Sequence, residues 1–127
     1  MKQDWFDVVI DGRSEWNGPP TINLGTCFQG RLYRHRSFVL MNKSSQTLDF
    51  MVKNDVTEDD GCELHFSSTN MSLKKFTVIT VSPHSSTHVF IFYRLHNEAK
   101  QGPKEHSLYI SCRLIKEYEV AIHLCAD

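Results

Sequence analysis

The chain has 127 residues, which is enough for one domain with its own hydrophobic core. Its 14 basic and 15 acidic side chains give a formal net charge of -1, so it lacks the positive field that draws proteins to nucleic acid or anionic lipid. The composition is that of a folded globule, at 40% hydrophobic and 11% aromatic, and no apolar stretch has transmembrane length. We therefore expect a soluble chain with neither a nucleic-acid partner nor a membrane insertion.

Period-two alternation of apolar and polar residues, which is typical of strands, recurs along the chain. Asp7 to Ile10 is a short β-branched run, and a second segment, TINLGTC, follows the breaker Gly18-Pro19-Pro20. Two further segments, RSFVLMN and TLDFMVK, are separated by a polar turn at 42–46, and this spacing predicts a hairpin-like pair. In TINLGTC, RSFVLMN and TLDFMVK the alternating apolar residues are Ile22, Leu24, Phe38, Leu40, Leu48, Phe50 and Val52.

The next strands are predicted beyond an acidic loop at 56–61. In CELHF the apolar residues Leu64 and Phe66 alternate with polar ones. The segment KKFTVITVS is expected to place Phe76 and Val78 on one face. In THVFIFYRL both faces are apolar, and this pattern predicts a central strand. One face of that strand carries Val89, Ile91 and Tyr93, and the other carries Phe90 and Phe92.

Two closing strands follow a hydrophilic connection at 96–105, in which at most two helical turns fit before Gly102-Pro103. Their alternating residues are Leu108, Ile110 and Cys112, then Val120, Ile122 and Leu124, with a turn expected at 114–118. Seven to nine short strands with Gly, Pro, Asn and Ser between them predict an all-β, immunoglobulin-like β-sandwich of antiparallel strands.

Four widely spaced cysteines are present, at Cys27, Cys62, Cys112 and Cys125. They show none of the CxxC or Cys/His clustering that a zinc site or a thioredoxin-like centre requires. An even number permits two disulfides, but Cys27 and Cys112 lie within apolar strand patterns and no export signal is visible. We therefore expect reduced thiols that face the core.

Several short motifs follow one another along the chain in a fixed order. A Leu-Gly-Thr-Cys step at 24–27, with Gly30 close behind, is followed by a Phe-x-Leu-x-Asn-x-Ser element. An apolar-x-Phe-x-Val strand comes next, and then a proline before a strand that alternates apolar residues. The residues of the last three elements are Phe38, Leu40, Asn42, Ser44, Leu48, Phe50, Val52, Pro83, Val89, Ile91 and Tyr93. This order of motifs resembles the ASH domains (abnormal spindle and hydin type), which are relatives of the major sperm protein (MSP) domain.

The resemblance covers residues 22–126, within a single predicted domain at 1–127. It implies a non-catalytic protein-binding or scaffold module of a cytoplasmic protein of cilia, centrosomes or membrane trafficking. Two departures are Arg94-Leu95, where the family has a proline, and Leu124-Cys125-Ala126, where it has Gly-x-Gly.

Residue types that serve metal binding and catalysis are present, but without the spacing that such sites require. Seven histidines are present, but no HExxH or Cys/His ligand set accompanies them, so we expect neither a metal nor another cofactor. No GxSxG elbow marks a nucleophile, although chance combinations of Ser, His and Asp abound. We therefore predict no enzyme activity and no catalytic residue.

One basic segment, GRLYRHR, is a candidate site for an acidic peptide, because guanidinium groups bind carboxylates and phosphates well. Its candidate protein-binding residues are Arg31, Tyr33, Arg34, His35 and Arg36. The simpler interpretation is that this segment is the solvent-exposed start of a strand and binds no partner.

Two alternatives to a scaffold module remain at this point. An extracellular immunoglobulin- or fibronectin-like adhesion domain would pair its cysteines and carry glycans on the sequons at Asn42 and Asn70. A small metal-binding or hydrolytic protein would bring several histidines together in a polar cleft.

Overall fold

A computed structural model describes residues 5–16, 18–25, 34–56, 62–67, 77–95 and 104–126. Nine strands lie within these ranges: β1 (Phe6–Val9), β2 (Thr21–Asn23), β3 (Arg34–Asn42), β4 (Leu48–Asn54), β5 (Cys62–Ser67), β6 (Thr77–Val81), β7 (Ser86–Leu95), β8 (Lys104–Cys112) and β9 (Ile115–Ala126). None of the described residues forms a helix that could cross a membrane.

The strands form two sheets that pack face to face. The four-stranded sheet has the order β1-β3-β7-β5, and the five-stranded sheet has the order β2-β9-β8-β4-β6. This is the predicted all-β, immunoglobulin-like sandwich. Its pairs are antiparallel except at one edge, where the short β2 runs parallel to β9 with Ile22 beside Leu124.

The core lies between the sheets and is built from the alternating apolar residues of both. Phe6 of β1 and Phe50 of β4 meet there edge to face, with ring centroids 4.9 Å apart. The predicted inward residues of β3, β4, β5, β7 and β8 are buried, as the sequence pattern indicates: Phe38, Leu40, Leu48, Phe50, Val52, Leu64, Phe66, Val89, Ile91, Tyr93, Leu108, Ile110 and Cys112. The predicted central position of β7 is also confirmed, since β3 and β5 pair with its two edges.

The predicted hairpin of β3 and β4 is wrong, because the two strands belong to different sheets. The chain at 43–47 crosses the end of the sandwich instead of reversing within one sheet. Asn42 stabilises this crossing. Its Oδ1 accepts bonds from Ser44 N at 2.9 Å and Ser44 Oγ at 2.8 Å, while its Nδ2 donates to Gln46 O at 2.7 Å.

Two other predictions need correction. On β6 the buried residues are Ile79 and Val81, whereas Val78 is exposed, so the inward face has the opposite phase to the predicted one. Phe76 lies outside the described residues, as does the connection at 96–103. The predicted turn at 114–118 is shorter, because Arg113 and Leu114 alone join β8 to β9.

The Leu-Gly step after β2 bends the backbone as its glycine suggests. Gly25 has a φ of 75°, a left-handed conformation that side-chain-bearing residues rarely adopt. Its N–H donates to Asn23 Oδ1 at 2.7 Å, which closes a tight turn directly behind the buried Leu24. Gly30 lies outside the described residues.

Candidate functional site

The outer surface of the four-stranded sheet exposes large apolar side chains. Trp5, Met41 and Phe90 are 36%, 39% and 38% exposed. We call this surface the aromatic face and define it by those three residues together with Val39, Phe92, His35, His65 and His88, which alternate with the buried residues of β3, β5 and β7. Exposed aromatic and methionine side chains are enriched where proteins bind one another.

Strand register places the aromatic face in rows that run across the sheet. His35 of β3 and His65 of β5 lie opposite Phe92 of β7, on its two sides. The His35 and Phe92 rings are 6.2 Å apart and tilted by 42°. In the middle of the sheet, the His88 and Phe90 rings lie 6.1 Å apart and nearly parallel, at 18°. The two phenylalanines are thus flanked by imidazole rings that can donate or accept hydrogen bonds.

Charged groups border the aromatic face and are paired there. On the β5 edge, Glu63 Oε1 accepts from Arg94 Nη2 at 2.9 Å and lies 3.6 Å from His65 Nε2. Near the β1 edge, Lys43 Nζ lies 3.2 Å from Asp7 Oδ1. Because each of these cations has an acidic neighbour, the face offers apolar contact and imidazole groups more than net charge.

The outer surface of the five-stranded sheet is more polar. Thr80 Oγ1 donates to Asp49 Oδ1 at 2.7 Å, and His123 Nε2 lies 3.6 Å from Glu105 Oε1. Its apolar part is a shallow groove lined by Met51, Val78, Ser111, Cys112 and Arg113. Among the strands described here, the aromatic face is therefore the better candidate for a binding surface.

The predicted basic segment only partly falls within the described residues. His35 points outward on the aromatic face, whereas Arg36 extends from the opposite face of β3, as strand alternation requires. Arg36 Nε donates to Asn23 O of the other sheet at 3.2 Å, and its Nη1 donates to His35 O at 3.0 Å. Arg31, Tyr33 and the side chain of Arg34 lie outside the described residues, so the five-residue site stays a prediction.

The sequence contained one signal for the aromatic face, namely the second apolar side of THVFIFYRL. That pattern predicts a central strand, and β7 is central, but Phe90 on its outer side is 38% exposed. Trp5 and Met41 gave no periodic signal, because their exposure depends on which strands pair beside them.

Two features bear on the alternatives to a scaffold module. The side chain of Asn42 is buried at 1% exposure and its amide is fully engaged, so a glycan on this sequon is incompatible with the packing. Asn70 lies outside the described residues. Within the ranges that the structure describes, no three His, Cys, Asp or Glu side chains are grouped closely enough to hold a metal ion.

Comparison with known proteins gives matches by structure alone. No protein-family model matches the sequence, and no curated protein matches it significantly. An ASH/PapD-like domain of human CEP192 (PapD-like domain 7) superposes with a TM-score of 0.62 at 9% identity, covering 100% of this chain and 89% of that one. An MSP family member of C. elegans superposes at 0.57 with 16% identity, covering 98% of this chain and 100% of that one.

The chain has an ASH/MSP-like fold. The same sandwich also occurs within a larger enzyme, a family 123 glycoside hydrolase from Clostridium perfringens, at a TM-score of 0.62 and 10% identity. That match covers 84% of this chain but only 22% of the hydrolase. At these identities the ASH/MSP-like likeness is one of fold, and function has to be argued from the surface.

Proposed function

We propose that this ASH/MSP-like chain is a non-catalytic protein-binding module that contacts its partner through the aromatic face. The observation that carries the proposal is the exposure of Trp5, Met41 and Phe90 on one sheet surface whose bordering charges are paired. Aromatic residues and methionine are enriched where proteins bind one another, and lysine and glutamate are depleted there.

The partner that fits is a protein surface that presents apolar side chains and few charges. Burying Phe90 and its neighbours removes apolar area from water, at about 25 cal/mol per Å². The imidazoles of His35 and His88 lie beside the phenylalanine rings. Their hydrogen bonds can fix the orientation of the bound partner. Aromatic anchors in the centre of an interface typically carry most of its binding energy.

The predicted basic segment adjoins this surface through His35. We include Arg31, Tyr33, Arg34 and Arg36 in the proposal as a second, charged contact for an acidic part of the same partner. The setting that we propose is the cytoplasm, within a scaffold of the cilium or centrosome. This setting is supported by the motif order and by the fold shared with the ASH/PapD-like domain of CEP192.

The test compares two matched surface changes, Phe90→Asp on the aromatic face and Val78→Asp on the other sheet. Both residues are exposed apolar side chains on strands, at 38% and 44%. Partners are recovered by cross-linking and pull-down from ciliated or dividing cells, with each variant and the parent chain as bait. We expect Phe90→Asp to lose a partner that Val78→Asp retains. Equal recovery by the two variants, or no partner above background with the parent chain, would refute the proposal.

A further inference from the structure

One end of the sandwich brings together a thiol, an imidazole and a carboxylate that are far apart in the sequence. Cys62 Sγ lies 3.5 Å from His106 Nε2, within hydrogen-bonding reach for sulfur. His106 Nδ1 faces Asp55 Oδ1 at 3.7 Å. The imidazole therefore lies between a nucleophilic sulfur and a carboxylate, which is the arrangement that activates cysteine in enzymes of several folds.

The fold positions all three groups from strand ends. Cys62 begins β5 and lies opposite Leu95, His106 is on β8, and Asp55 directly follows β4. Ser107 N donates to Asp55 Oδ1 at 2.9 Å, and Asp55 N donates to Ser107 O at 3.2 Å. These two bonds fix the carboxylate beside the imidazole on the neighbouring residue.

The three side chains differ in their exposure to solvent. Cys62 is 2% exposed and the side chain of His106 is 8% exposed, whereas that of Asp55 is 45% exposed. In the tautomer that carries its proton on Nδ1, the imidazole turns that N–H toward Asp55 and has Nε2 available to accept the thiol proton. Asp55 would stabilise the resulting imidazolium.

We propose that Cys62 is a base-assisted thiol and a site of oxidation by small hydroperoxides. The Cys62 thiolate, formed by proton transfer to His106, attacks one peroxide oxygen and the O–O bond breaks. The departing hydroxide, or alkoxide where the peroxide carries an alkyl group, takes the proton from His106 to give water or an alcohol. The sulfur loses two electrons to become a sulfenic acid, and the hydroperoxide is reduced by the same two electrons.

Cys112 provides an internal control for this proposal. It is as buried as Cys62, at 1% exposure, both cysteines are reduced, and it too lies at the end of a strand. No histidine contact is found for Cys112 within the part of the chain that the structure describes. Burial slows the reaction of both thiols, and Cys112 also lines the groove on the five-stranded sheet, so a faster reaction of Cys62 does not come from lower burial.

The experiment treats the folded chain with hydrogen peroxide in the presence of dimedone, which traps sulfenic acids, and quantifies each cysteine by peptide mass spectrometry. A parallel series uses iodoacetamide, which reports thiolate reactivity without an oxidant. We expect Cys62 to react about tenfold faster than Cys112 in both series. In denaturant, where His106 no longer contacts the thiol, the two rates should become equal.

Two variants separate the base from the fold. His106→Gln removes the base, and Asp55→Asn removes the charge of a half-exposed side chain with little effect on packing. Both should bring the rate of Cys62 down toward that of Cys112, the second variant less than the first. The proposal is overturned if Cys62 and Cys112 react equally in the folded parent chain, or if Cys62 keeps its advantage in a folded His106→Gln variant.

Discussion

Asn42 Nδ2 donates to the carbonyl oxygen of Val81 at 3.0 Å and thereby joins the two sheets at one end of the sandwich. Asn42 ends β3 in the four-stranded sheet, and Val81 ends β6 in the five-stranded sheet. The same amide nitrogen lies 3.1 Å from Ser82 O. One buried side chain thus holds together the chain crossing after β3 and the turn before β7.

Replacement of Asn42 should be strongly destabilising. Asn42→Ala removes the bonds to Val81 and Gln46 and leaves a buried carbonyl oxygen without its donor. We expect the free energy of unfolding to fall by about 2–4 kcal/mol, because an unsatisfied buried group costs more than one hydrogen bond gains. Chemical denaturation measures this loss of unfolding free energy. Ser44→Ala is the control, because it removes a hydroxyl that bonds Asn42 Oδ1 and the backbone of Gln46 but leaves the bonds of Asn42 Nδ2 in place; it should cost about 1 kcal/mol.

Phe50 should contribute more to stability than any surface residue. It is fully buried and its ring meets that of Phe6 across the core, so Phe50→Ala would leave a cavity between the sheets. We expect a loss of about 3–5 kcal/mol in the free energy of unfolding, with Phe50→Leu costing clearly less. Thermal unfolding of the two variants against the parent chain tests this. A loss for Phe50→Ala no larger than that for Phe50→Leu would contradict the packing.

Neighbouring residues of β7 should behave oppositely. Ile91 has no exposed surface and Phe90 is 38% exposed. Ile91→Ala should lower the free energy of unfolding by about 2–5 kcal/mol, and Phe90→Ala by about 1 kcal/mol. Urea titration of both variants distinguishes the two faces of the strand. If the Phe90 variant were as destabilised as the Ile91 variant, the aromatic face would be covered rather than open.

Gly25 should resist substitution for a backbone reason. Its φ of 75° is costly for any residue with a side chain, although a Cβ at this position would meet no atom within 4 Å. Gly25→Ala should therefore cost about 1–2 kcal/mol of stability through strain alone. Gly25→Asn should cost less, since asparagine tolerates this conformation better. Equilibrium unfolding of both variants checks the order.

Alternation in the sequence predicted the inward residues well but not the assignment of strands to sheets. The pattern around Phe38 and Phe50 identifies which side chains share a core, and both are buried. It carries no information on which strands pair, so the crossing between β3 and β4 was mistaken for a hairpin. In TVITV every residue suits a strand, so periodicity alone could not fix the phase that exposes Val78.

The aromatic face and the contact between Cys62 and His106 were harder to predict for a related reason. Phe90 and Phe92 were recognised as an apolar second side of β7, but only the arrangement of the sheets shows that nothing described here covers Phe90. Cys62 of β5 and His106 of β8 come together only because the two sheets pack face to face, and no local spacing in the sequence encodes that contact. The basic segment around His35 was predicted as a binding site from its charge alone.

The pairing of β3 with β7 sets a limit on how this chain acquires its structure. Phe38 lies opposite Val89, and all of residues 43–85 intervene between the two strands. The four-stranded sheet therefore cannot close until the ribosome has delivered β7, and before that moment one edge of β3 is open to association with other strands. Closure across so long a stretch is entropically slow, and refolding on a millisecond to second timescale is expected for such a topology.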